Sequence, residues 1–145
     1  MAMLEANEND SLVESIFCLA DYEELSGHAY EKRYLLVISF EPEEGILSNL
    51  CLESNRYLAH QQLARLANTY KKKGIIFASC HPLIDEDTAR ACSVNVSYKQ
   101  VIHFYREGNV MVDRVIADTA PPNEVYGMVD EICQRYAKRS CCVIL

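Results

Sequence analysis

Two runs of the chain are apolar at almost every position. Tyr34-Leu35-Leu36-Val37-Ile38-Ser39-Phe40 and Ile75-Ile76-Phe77-Ala78-Ser79 have strand length, and such unbroken runs predict strands buried on both faces. Between them the spacing changes to that of a helix. Leu58, Leu63, Leu66, Ala67 and Tyr70 share one face of a helix predicted from roughly Asn49 or Ser54 to Lys73, where Gly74 stops it. Lys71, Lys72 and Lys73 then fall in its last turn, facing the negative end of the helix dipole, a role that accounts for them without a binding patch. Strand, helix and strand in this order form the βαβ unit of a parallel pair.

Upstream, Leu12, Ile16, Phe17 and Leu19 supply an apolar patch suited to an edge strand. Asp21 and Glu24 have capping-box spacing, which predicts a short helix over about Tyr22 to Tyr30. Downstream, Asp85-Glu86-Asp87-Thr88 opens another short helix carrying Ala89 and Cys92. Val101 to Tyr105 and Val110 to Ile116 flank Arg106-Glu107-Gly108-Asn109, the pattern of a β-hairpin with a Gly-containing turn. Pro121 and Pro122 precede a final amphipathic helix whose apolar face is Val125, Met128, Val129, Ile132, Cys133 and Tyr136.

The length of 145 residues suits one domain, and 50% hydrophobic with 24% charged residues is the balance of a globular chain. The net charge of −7 is unevenly placed: eight of the 21 acids lie in residues 1–31, which hold no Lys or Arg. A chain so balanced has no basic footprint for nucleic acid. No apolar run reaches the ~20 residues of a membrane span, and the first residues lack the form of a signal peptide, so a cytoplasmic location is expected. The cysteines number seven, an odd count; Cys18, Cys51, Cys80, Cys92 and Cys133 are scattered singly and read as reduced thiols. His28, His60, His81 and His103 show no zinc-site spacing and read as surface or core-edge residues. The glycines are isolated, so no phosphate-cradling loop, metal site or cofactor is called for.

The element order β-α-β-α-β-α-β-α, with a parallel half followed by an antiparallel hairpin, resembles the thioredoxin fold over about residues 12 to 137. The expected class is α/β, with a central mixed sheet flanked by helices. The segment from Val94 through Tyr98, Gln100 and Gly108 to Val110 is similar to the family's run from its third helix through the cis-proline strand into the hairpin. Tyr57 to Tyr70 resembles the family's helix after the active site. The departures carry the functional reading. Thioredoxins use a Trp-Cys-Gly-Pro-Cys site at the start of that helix; this chain has no Trp, and the alignment places Glu53-Ser54-Asn55-Arg56 at the two-cysteine motif. A dithiol mechanism needs a second thiol to resolve the mixed disulfide. Gln100 falls where the family has its cis-proline. The resemblance therefore implies the redox-inactive, phosducin-like branch of the fold, a protein-binding module with a cytosolic or membrane-associated protein as its partner. The alternative is a single-thiol oxidoreductase using Cys51 in the C-x-x-S spacing of Cys51-Leu52-Glu53-Ser54.

The segments that meet at the family's substrate-gripping end correspond here to Glu41–Leu50, Glu53–Arg56 and Ser97–Gln100. Within them Ile46, Leu47, Leu50, Glu53, Arg56, Tyr98 and Gln100 are the candidate partner contacts. Ile46, Leu47 and Leu50 fit equally a second reading, in which they cover the vacated redox site. The last four residues, Cys142-Val143-Ile144-Leu145, form a C-a-a-X box whose terminal Leu favours geranylgeranyl, implying a prenyltransferase as a further partner. Cys141 is placed for palmitoylation beside it, with Arg135, Lys138 and Arg139 as a modest basic cluster. The expected organisation is an acidic, flexible segment over 1–11, a domain over 12–137 and a lipidated tail over 138–145 that attaches the chain to the cytosolic face of a membrane.

Overall fold

A computed structural model describes residues 12–41, 53–80, 100–117 and 120–138, with the side chains of 53–56 excepted. In chain order it contains β1 (Val13–Ile16), α1 (Leu19–Lys32), β2 (Leu35–Phe40), α2 (Glu53–Tyr70), β3 (Ile75–Cys80), β4 (Gln100–Arg106), β5 (Val110–Ala117) and α3 (Pro122–Tyr136). The expected α/β architecture is present: one five-stranded mixed sheet in the order β1-β3-β2-β4-β5, flanked by three helices among the described residues. β1, β3 and β2 are mutually parallel, and β4 and β5 turn antiparallel. The short helix expected after Asp85 lies outside the described residues.

Continuous apolarity made β2 the sheet's centre, and all six of its residues are buried. Its alternation divides the core in two. Leu35 and Val37 face α2 and α3, with Leu63, Leu66, Phe77, Phe104, Val125 and Val129. Leu36, Ile38 and Phe40 face α1, with Ile16, Tyr22, Ala29 and Tyr105. The period of two places Ser39 on the α2/α3 side, an isolated polar side chain in an apolar layer. The bond network it enters is the starting point of the candidate site.

Two boundaries and two burial assignments differ from the sequence reading, each for a packing reason. α1 begins at Leu19, with Cys18 as N-cap, and the Asp21 carboxylate accepts from the Phe17 amide at 2.9 Å rather than capping a downstream amide. The earlier start aligns Leu19, Tyr22, Leu25 and Ala29 as one stripe against the sheet. α2 ends at Tyr70, and Lys71 to Lys73 form a turn beyond the helix, closed by Lys73 N–H to Tyr70 C=O at 2.9 Å. Gly74, at φ +77°, then redirects the chain so that its carbonyl accepts the Leu35 amide at 2.9 Å. On α3, Met128 is 39% exposed, while Tyr126, which the periodicity left off the apolar face, is 1% exposed. His103 is likewise buried, not at the surface: its Nδ1 lies 2.7 Å from the Tyr105 hydroxyl, and its ring packs edge-on to Phe40.

The hairpin forms where expected and is clamped to α1. Ser26 Oγ donates to Gly108 C=O at 2.6 Å, and Gly108 has φ +81° with the Ser26 carbonyl 2.7 Å from where a Cβ would stand, so only glycine fits there. Lys138, assigned to the tail by sequence, is tied to the domain by Lys138 N–H to Lys73 C=O at 2.8 Å.

Candidate functional site

Strand register defines two poles. Ile16 and Phe40 pair with Cys80, Phe40 pairs with Val101, and Gln100 pairs with Ala117. The carboxyl ends of β1, β2, β3 and β5 and the start of β4 therefore share one pole. Each helix follows a strand that ends there, so α1, α2 and α3 all start at this pole and run away from it. The carboxyl edge of parallel strands, lined by helix amino termini with their positive partial charge, is where α/β folds place ligands. Glu41, Glu53, Cys80 and Gln100 also lie at this pole.

Its floor is a closed polar triangle. The Gln100 side-chain amide donates one proton to Ser39 Oγ at 3.0 Å and the other to the Tyr126 hydroxyl at 2.9 Å; Ser39 Oγ and Tyr126 OH are 3.5 Å apart. All three residues are buried, Gln100 at 4% exposure, and among the described residues no buried side-chain polar atom lacks a partner. Burial pushes the Tyr126 phenol up, the Glu41 charge adding to the effect and the bonds from Ser39 and Gln100 opposing it. The rim carries a side-chain hydrogen bond between His60 of α2 and Glu41, and Gln62, midway along α2, donates to Asn123 in the first turn of α3 at 3.0 Å, tying the two helices together.

Of the sequence-derived candidates, Gln100 is placed at the pole, but beneath it: both protons of its amide are engaged, so it positions the surface rather than touching a partner through that group. Glu53 and Arg56 lie in the first turn of α2. Ile46, Leu47, Leu50, Cys51, Tyr98, Cys141 and Cys142 lie outside the described residues. Sequence reasoning missed Ser39 and Tyr126. A signal existed for Ser39, since a lone hydroxyl in a strand buried on both faces requires a hydrogen-bond partner; nothing local marked Tyr126.

Two of the described thiols are shut away from solvent. Cys80 and Cys133 are fully buried, and burial, reinforced by the Asp130 carboxylate, pushes the Cys133 thiol up to about 12. Tyr70 is also pushed up, by burial first and then by the hydrogen bond it donates to Asp130. These groups fold in their neutral forms, so the stabilisation from Cys133 is complete below its ordinary value near 9 and is lost as pH rises toward 12. Thermal melts should accordingly show a steadily falling Tm above about pH 9, and Cys133→Val should flatten the first part of that fall. A constant Tm up to pH 11 would contradict the assignment.

Among the described residues no group of His, Cys, Asp and Glu could hold a metal ion, and no helix is long and apolar enough to cross a membrane. No family profile matches the sequence, and no curated protein matches it. Solved structures do. A thioredoxin from Fasciola hepatica superimposes with a TM-score of 0.60 at 21% identity, covering 86% of this chain and 99% of that one. Thioredoxin NaTrxh from Nicotiana alata gives 0.63 at 12% identity, over 88% of this chain and 94% of that one. A poplar thioredoxin h gives 0.60 at 14%, over 83% and 96%. The chain has a thioredoxin-like fold, as the sequence led one to expect.

Proposed function

We propose that this chain is a thioredoxin-fold protein-binding module that carries out no dithiol exchange and is held on a membrane by a lipid at Cys142. The observation that carries the first half is the use made of residue 100. Where the family resemblance puts a cis-proline against a disulfide, Gln100 is locked into a buried triangle with Ser39 and Tyr126, and α2 begins at Glu53 and contains no cysteine. Dithiol exchange needs an attacking thiolate and a resolving thiol within reach of it. α2 offers neither.

What the pole retains is a rim in which Glu41 is hydrogen-bonded to His60 and α2 is tied to the start of α3 through Gln62 and Asn123. Ile46, Leu47, Leu50 and Tyr98 would supply apolar contacts for a partner, and Glu53 and Arg56 charged ones. The second half rests on Cys142-Val143-Ile144-Leu145 read with Leu145 as the carboxyl terminus, and on Cys141 beside it.

The purified chain should fail to reduce insulin in a coupled assay with NADPH and thioredoxin reductase, giving no turnover above the protein-free rate. Turnover abolished by Cys51→Ser would instead establish the single-thiol oxidoreductase. Changing Ile46 and Leu47 together to Ser should remove co-purifying partners while leaving the melting temperature within about 2 °C; a loss of several degrees with partners retained would place both residues in the core.

A further inference from the structure

The pole opposite the candidate site collects half of the chain's 14 basic residues. Lys32 and Arg33 stand at the end of α1, Lys71 to Lys73 in the turn after α2, Arg106 at the hairpin and Lys138 after α3; all are exposed. Four acids stand at the other end: Asp21 in the first turn of α1, Glu124 in the first turn of α3, Glu41 after β2 and Glu53 at the start of α2. Because the three helices run in one direction, their dipoles favour this separation. The dipoles do not account for its extent. Lys71 to Lys73 lie beyond the last turn of α2, which contains no base, and Arg106 belongs to a strand. Arg33 holds a left-handed C-cap at φ 60°, a position that glycine fills without strain.

The same pole contains a cleft of about 700 Å³ whose walls combine Arg33, Arg106 and Lys138 with the rings of Tyr30, Tyr34 and Tyr136, against the acids Glu31 and Glu107. Tyr30 is 64% exposed. The Lys138 ammonium lies 4.8 Å from the Tyr34 ring centre, and the Arg106 guanidinium 5.8 Å from that of Tyr136. Among these cations one exposed tyrosine, Tyr30, and two half-buried ones suit the boundary between water and a bilayer, where an amphipathic ring meets headgroups. Lys138, the last described residue, stands at this pole. From Lys138 to Cys142 is four residues, which reach no further than ~14 Å in any conformation, and charges at a bilayer act over about 8 Å at physiological salt.

We infer that this basic pole is a docking surface for an anionic lipid membrane, which orients the domain with its candidate site toward the cytosol. The inference rests on the lipid reading of Cys142, because an anchor there delivers this pole, and no other, to the bilayer. A single prenyl chain holds a protein only reversibly, and the basic pole supplies the second attachment signal.

Unmodified full-length chain, carrying a C-terminal oligohistidine extension, is captured on vesicles containing a nickel-chelating lipid, so the tether no longer depends on prenylation. Adding phosphatidylserine to phosphatidylcholine vesicles should tighten binding between about tenfold and a hundredfold. Lys71, Lys72 and Lys73 changed together to Gln should lose most of that gain while melting as the parent does. Arg65→Gln with Arg114→Gln, exposed bases elsewhere, should keep it. Indifference to phosphatidylserine, or equal gains for the triple variant and the parent, would overturn the docking surface, as would tighter binding to polyuridylate than to the anionic vesicles. Failure of the anchor is read separately: an unlabelled Cys142 in cells, with the phosphatidylserine gain intact, would sink the lipid reading and leave the surface standing.

Discussion

Cys142→Ser should move the chain from the membrane fraction to the soluble fraction and abolish incorporation of a labelled isoprenoid. The loss follows from the size of the group: apolar burial contributes ~0.8 kcal/mol per methylene, so removing a geranylgeranyl chain lowers partitioning by on the order of 10⁴-fold or more. Cys141→Ser should keep the label and shorten membrane residence, because it removes only a second, reversible acyl chain. The two variants separate the candidate lipids, one being all-or-none and the other graded. Equal label and equal sedimentation of the parent and Cys142→Ser would end the prenylation reading.

Gln100→Ala should lower stability by roughly 2–4 kcal/mol, combining a cavity beneath the pole with the loss of two hydrogen bonds to buried hydroxyls. At ~3 °C per kcal/mol for a domain of this size, the melting temperature falls by about 6–12 °C. Ser39 Oγ and Tyr126 OH, 3.5 Å apart, retain each other as partners, which keeps the loss toward the lower end. Tyr126→Phe should cost about 1–2 kcal/mol, since it leaves one buried amide proton of Gln100 unpaired. Combined with Gln100→Leu it should cost less than the sum of the single changes, because the partner whose orphaning is penalised has gone. A melting temperature for Gln100→Ala within 2 °C of the parent would show that the triangle contributes little. Insulin reduction is expected from none of these variants, so the measurement isolates the structural role of residue 100 from any chemistry.

The two buried strands were legible because burial on both faces requires an apolar residue at every position, a demand that is local in sequence. The hairpin was legible because Gly108, at φ +81°, stands in a short polar turn between two largely apolar runs. The helix boundaries were less so. The capping spacing of Asp21 and Glu24 pointed to a start at Tyr22, yet Leu19 gains more by joining the stripe against the sheet, and the Asp21 carboxylate then serves the Phe17 amide instead. Lys71 to Lys73 look like a helix end in sequence, but the handoff from Gly74 to Leu35 ends α2 at Tyr70. The candidate site was legible at Gln100 alone, through its family position, and its orientation was not, since a glutamine reads as a surface contact until its partners are known.

By itself the sequence determined the order of elements, which strands are buried, and the Cys142-Val143-Ile144-Leu145 motif. These depend on neighbours one to four residues apart, where the strand and helix periods act. Tertiary structure alone decided that Ser39, Gln100 and Tyr126 close a triangle across separations of 26 to 87 residues. It also decided that the three described helices point the same way, and that bases scattered along the chain gather at one pole. Strand register and crossover direction set those relations, and they are fixed by contacts between distant segments, for which no local spacing carries a signal.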